Sequence, residues 1–361
     1  MKVPYLLCSA VLVSGVLCSP GDQLDEFIDC TCACEYYRHC KGSGINYIDP
    51  NTNDFHNVDF ISLIDNEKTW VDQLVSKVTF WDCMAECDYV CQQMITEDRV
   101  KKGDSILQFH GKWPFKKMFG FQEFFASIFS IGNFVSQYRG YKMIRRRMER
   151  QANQGNSDKY YDMLLQSYLF VSIMGMMAWL SSTVFHFRDL LVTEKFDYFF
   201  AGGTVLTAFH AILNRVAYKK INGDIKYTVM QVVRYATLAI FICHILRLYI
   251  DWSYTYNMRF NICFGVLQYL ILIYVAIDNH FEIGRHSKYA YPPDRFKLVY
   301  LPIILVVFTA LAMSLELFDN FSIAWQLDSH ATWHLLTILP GWYLFDFFLY
   351  DLDFILHRKT V

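Results

Sequence analysis

An excess of charge of either sign is almost absent from this 361-residue sequence: 33 Lys and Arg stand against 35 Asp and Glu, a net charge of −2 at pH 7. Nucleic acid is a partner that calls for a basic excess, and there is none. Its eleven cysteines include no Cys-x-x-Cys pair, which counts against a zinc ribbon or knuckle. From residue 20 to about 115 no apolar run is long enough to cross a bilayer, which takes roughly 20 residues as a helix.

Elsewhere the chain is rich in what this region lacks. It is 54% hydrophobic and 17% aromatic, with a mean hydropathy of +0.18. That is too apolar for an ordinary soluble protein, and aromatic residues suit membrane interfaces. Residues 1–19 carry one Lys, a short apolar core and small residues near Cys18 and Ser19, the pattern of a secretory signal peptide. Residues 20–115 form a polar region holding Cys30, Cys32, Cys34, Cys40, Cys83, Cys87 and Cys91. Behind a signal peptide, such a cluster reads as a disulfide framework, with zinc binding by the same sulfurs as the runner-up. Seven is odd, so one thiol, Cys32 by this reading, is left unpaired or linked elsewhere.

Residues 116–361 carry seven apolar segments, at about 119–137, 163–186, 198–213, 229–248, 262–277, 298–317 and 331–349. The first is the most polar, with Glu123 and Asn133. The fold class expected is therefore an all-α membrane protein: a seven-transmembrane helix bundle with a disulfide-rich N-terminal lumenal region. Arg145, Arg146, Arg147, Arg150, Lys219, Lys220 and the basic loop before the sixth segment fall on one side. The positive-inside rule makes that side cytosolic, along with the C-terminus, and the N-terminus lumenal.

With that orientation five polar residues meet at the lumenal face. Ser182 and His186 lie four apart at the end of the second segment; Asp197 opens the third; His330 and His334, again four apart, open the seventh. Residues four apart share one helical face. Three neutral imidazoles can hold one zinc and leave a fourth position for water, as in a catalytic rather than a structural site. Asp197 would accept a proton from that water and Ser182 would donate to a developing oxyanion. No other cofactor is implied. A Ser182–His186–Asp197 triad is a lesser alternative, because a serine and histidine one turn apart leave little freedom for nucleophilic geometry. Glu316, Asp319 and Asp328 flank the last lumenal loop, and any of them can serve as an outer partner.

The stretches Ser-Thr-Val-Phe-His186-Phe-Arg-Asp, Leu-Val-Thr-Glu-Lys-Phe-Asp197 and Trp325-Gln-Leu-Asp-Ser-His330-Ala-Thr-Trp-His334 resemble the post-GPI-attachment lipid-remodelling phospholipases. That family belongs to the CREST superfamily with the alkaline ceramidases. Gln108-Phe-His-Gly-Lys-Trp-Pro-Phe115, Phe121-Gln-Glu123 and Trp81-Asp-Cys83 with Cys87 and Cys91 are similar to it as well. The resemblance implies a phospholipase A2-type enzyme in the endoplasmic reticulum or Golgi membrane. Its substrate would be the lipid of GPI-anchored proteins, from whose phosphatidylinositol it removes the sn-2 acyl chain. The superfamily's zinc ligands carry over onto His186, His330 and His334, and its polar pair onto Ser182 and Asp197. The acidic calcium-binding segment of the ceramidases has no counterpart in His110 to Phe115, so calcium is not expected. A ceramidase-like intramembrane amidase and a non-catalytic seven-span receptor or chaperone with a structural metal are the alternatives. Asn320-Phe-Ser322 is the one N-glycosylation sequon, and no signal for an oligomeric state stands out.

Overall fold

A computed structural model of the chain describes residues 19–41, 70–153, 158–223, 225–285, 293–318, 322–323 and 326–357. Residues 1–18 of the expected signal peptide, and Asn320, lie outside the described residues. The chain divides into two compact units, one comprising Met1–Glu123 with Ser322–Asp328 and the other Phe124–Phe321 with Ser329–Val361.

In the first unit, helix α1 (Asp25–Tyr37) packs against α3 (Cys83–Lys102), with a shorter α2 (Trp70–Val78) between them in sequence. Cys30 and Cys34 sit one turn apart on α1, and Cys87 and Cys91 one turn apart on α3, so each helix turns a row of sulfurs to the other. Three disulfides join them as an antiparallel ladder: Cys30–Cys91, Cys34–Cys87 and Cys40–Cys83. Cys32 is also disulfide-bonded. This removes the expectation of an unpaired thiol, and its partner is none of those six cysteines. Helix α3 starts where the Asp82 side chain accepts from the Ala85 amide at 2.8 Å and stops at Gly103, φ 82°, an N-cap and a left-handed C-cap.

The segment after α3 folds as two tight turns, Phe109 paired with Lys112 and Met118 with Phe121. The central residues of both have positive φ: His110 and Gly111, then Phe119 and Gly120. Gly21 donates to the Gln108 carbonyl at 3.0 Å. A Cβ there would stand 2.6 Å from that oxygen, so the approach requires glycine. His110 lacks a partner pattern in the sequence, but its Nε2 lies 2.8 Å from Asp88 Oδ1 and its amide donates to Asp22. Glu123, read as part of the first apolar segment, instead belongs to this unit and pairs with Lys112 at 2.5 Å. Strands β1 (Ser322–Ile323) and β2 (Leu327–Asp328) form a small antiparallel hairpin, and the side chain of Gln326 donates to the Lys116 carbonyl at 2.8 Å.

The second unit is a helical bundle: α4 (Phe124–Asn153), α5 (Lys159–Phe187), α6 (Leu191–Lys220), α7 (Ile225–Ile250), α8 (Tyr254–Arg285), α9 (Leu301–Leu317, entered through a π-turn at Phe296–Tyr300) and α10 (Ser329–His357). Six of them are long and apolar enough to cross a membrane: α5 to α8, α9 with its π-turn, and α10. The expected seventh, α4, has the length but not the apolarity. Its inward face is Ser127, Ser130, Asn133, Ser136 and Gln137, all buried, against α5 and α10. A small-residue row, Gly132, Ser136 and Gly140, lets α10 come close, as small residues do between membrane helices. A Cβ at Gly140 would sit 2.2 Å from the Phe345 ring. Many apolar side chains on α7 and α8, such as Val232, Leu246 and Leu270, point outward, as a lipid solvent permits.

The core stacks Tyr168 on Phe348, ring centroids 4.3 Å apart, among Leu164, Ile212, Leu272 and Val275. Toward the basic end, Arg215 is buried and its guanidinium donates to both Asp351 oxygens (2.7 and 2.6 Å) and to Asn279 (2.7 Å). Lys219 and Lys220 share Asp278 at 2.6 Å each. A buried charge is tolerated only when paired in this way.

Candidate metal centre

Helix direction brings the end of α5 and the starts of α4, α6 and α10 to one end of the bundle, with the end of α9 beside them. His186 stands on the last turn of α5. His330 and His334 stand on the first two turns of α10, four residues apart and on one face. Their ligand atoms form one group within 4.8 Å of one another. His330 Nε2 lies 3.2 Å from His186 Nε2 and 3.0 Å from His334 Nε2. Tetrahedral zinc with bonds of about 2.0–2.1 Å holds its nitrogens roughly 3.3–3.4 Å apart, so the spacing fits a zinc-sized ion.

The outer nitrogens support the same conclusion. His334 Nδ1 is 2.8 Å from Ser130 Oγ, and His330 Nδ1 is hydrogen-bonded to the Glu316 carboxylate. A carboxylate only accepts, so the His330 proton sits on Nδ1 and the Nε2 lone pair faces inward. Ser130 Oγ also lies 2.8 Å from the Ala126 carbonyl, a pure acceptor. When that carbonyl takes the serine proton, His334 likewise donates from Nδ1. Two imidazole lone pairs 3.0 Å apart repel unless a cation lies between them, and the donor set fits a metal.

His186 and His334 are buried, 2% and 1% exposed, while the His330 side chain keeps 27% of its surface. His330 is thus the least buried of the three imidazoles. Trp179 packs edge-on to His334 at 5.2 Å, with Trp333 beside both. This lining is aromatic.

Ser182 is buried, with Oγ 3.1 Å from Ser130 Oγ. It thus joins the hydroxyl chain that ends on His334. Asp197 is half-buried on the second turn of α6 at this end of the bundle, outside the three-histidine group. The structure therefore brings together His186, His330 and His334 directly and Ser182 through Ser130. Nothing in the sequence singles out Ser130, and Asn133, whose side chain donates to the His334 carbonyl at 2.6 Å, shows there only as polarity in the first segment. That polarity was the available signal. Cys40, Cys83 and Cys87 also bring three sulfurs together, but each is oxidised in a disulfide, and a metal needs the thiolate.

Comparison with known proteins adds three findings. The family model described as "Per1-like family" matches residues 73–352. Protein PER1 of Saccharomyces cerevisiae is 51% identical over 364 residues, covering 97% of each chain. A Xenopus tropicalis protein named GPI-specific phospholipase A2-like PGAP3 is 30% identical over 353 residues, covering 96% of this chain and 94% of its own.

Proposed function

The chain belongs to the Per1-like family, and we propose that it is a zinc-dependent, phospholipase A2-type hydrolase that removes the sn-2 acyl chain from the phosphatidylinositol of GPI-anchored proteins. The observation that carries this reading is the convergence of three imidazole Nε2 atoms, 3.0 and 3.2 Å apart, at one end of a membrane bundle. The names of relatives such as the Xenopus protein supply the substrate class.

In this reading His186, His330 and His334 hold the ion. Zinc bound there supplies Lewis-acid polarisation of an ester carbonyl and lowers the pKa of a water. Asp197 accepts the proton of the attacking water. Ser182 turns its hydroxyl from Ser130 to the oxyanion formed at the ester. The aromatic lining from Trp179 and Trp333 excludes bulk water, which strengthens each of these interactions.

The same reading takes α4 as a seventh crossing, clothed by α5 and α10. It places the histidine end and the disulfide-rich unit in the lumen of the endoplasmic reticulum or Golgi, with the basic end of the bundle cytosolic. A GPI anchor's lipid lies in that lumenal leaflet. The test is expression in cells lacking GPI lipid remodelling, followed by mass spectrometry of the anchor. Wild-type protein is expected to strip the sn-2 chain and His330→Ala to leave it. A retained chain with both proteins refutes the reading, as does equal removal by both.

A further inference from the structure

The outer partners of His330 and His334 are chemically different, although both ligands come from one helix. His334 Nδ1 meets a neutral hydroxyl, Ser130, at 2.8 Å. His330 Nδ1 meets a carboxylate, Glu316, on the last turn of α9. The Glu316 side chain is 12% exposed, and a carboxylate so placed beside a membrane bundle is costly unless its charge is used. We propose that Glu316 is a positioning residue of the metal site: it fixes the His330 tautomer, aims Nε2 at the ion, and lends negative charge to the least buried of the three ligands.

This rests on the metal reading above and deepens it. His330 is the least buried of the three imidazoles, so packing alone restrains its ring least. The hydrogen bond from α9 replaces that missing restraint. The carboxylate also makes the ring more electron-rich, which raises its basicity toward the ion. Ser130 gives His334 the tautomer but no charge, and His334 is in any case wedged against Trp179 and Trp333. Of the two outer partners, Glu316 is therefore expected to matter more for metal retention.

The test uses full-length protein, purified and stripped of metal. Zinc affinity is read by competition with a chromophoric chelator, and ligand geometry by the visible spectrum of the cobalt(II)-loaded form. Glu316→Ala is expected to bind zinc about 10–100-fold more weakly, the usual cost of losing such an outer partner, and to alter the cobalt spectrum. Glu316→Gln, which keeps an acceptor without the charge, is expected to fall between Ala and wild type, and it serves as the second variant if Ala does not fold. The melting temperature of the metal-free protein should not change. Wild-type zinc affinity and an unaltered cobalt spectrum in both variants would overturn the proposal, as would a lower metal-free melting temperature with affinity intact. Wild-type protein that binds no zinc would instead overturn the metal reading beneath it.

Discussion

His330 faces two demands at once: one ring nitrogen is committed to Glu316 and the other to the point where His186 and His334 converge. Ser182 stands one step further out, its hydroxyl against Ser130 rather than against an imidazole. In the proposed mechanism Ser182 is an oxyanion donor, which can be removed without disturbing the ion. Ser182→Ala is therefore expected to keep full zinc content while kcat falls about 100-fold or more, the usual cost of one such donor. Zinc analysis and hydrolysis kinetics on the same preparation check this, and zinc loss in Ser182→Ala would make the serine part of the metal shell instead.

The three histidines were legible because i, i+4 spacing and topology place them without knowledge of rotamers. Ser130 was not, since a serine in an apolar helix is ordinarily an inward-turned hydroxyl bonded to its own backbone, and nothing local marks it as facing His334. In the disulfide-rich unit, Glu35 shows an effect visible only in three dimensions. Burial first, then the nearby Asp88 and Asp82, raises its pKa above the usual carboxylate value of 4.5. The folded form thus holds its proton more tightly than the unfolded one, so the contribution of Glu35 to stability is present below pH 4.5 and is lost as pH rises through the raised value. Glu35→Gln is expected to melt higher than wild type at pH 8 and alike at pH 4, as thermal unfolding at the two pH values would show.

Among the elements, α4 separates what pattern can reveal from what packing decides. Length and position predict a span, yet its face of Ser127, Ser130, Asn133, Ser136 and Gln137 is too polar to meet lipid and is buried between neighbours instead. The helix is close to α10 because Gly132 and Gly140 allow it. Gly140→Val would drive methyl groups into Phe345, whose ring atoms stand 2.2–2.5 Å from an added Cβ. Such overpacking costs about 1–3 kcal/mol. A lower melting temperature of the purified protein is expected, with weaker zinc retention because Ser130 moves with α4. An unchanged melting temperature would mean that α4 and α10 are not held this closely. The cysteine ladder between α1 and α3 was hidden in the sequence for a related reason. Spacing puts sulfurs on one face of each helix, but only the antiparallel pairing of the two helices selects Cys30–Cys91, Cys34–Cys87 and Cys40–Cys83.

At the scale of the whole molecule, one end of the bundle carries the histidines and the other the buried ion pairs of Arg215, Asp351, Lys219 and Asp278. The helical class and the apolar segments were legible because the bilayer dictates length and composition. The proposed chemistry belongs to the histidine end: there a metal-loaded site would cleave an sn-2 ester. The most direct measurement reconstitutes the purified protein in liposomes with a GPI-anchored protein whose sn-2 acyl chain is labelled, and follows free labelled fatty acid. Release by the zinc-loaded protein, abolished by a chelator and restored by added zinc, is the expected result. No release from the zinc-loaded protein, or release that persists under chelation and in His330→Ala, would contradict it.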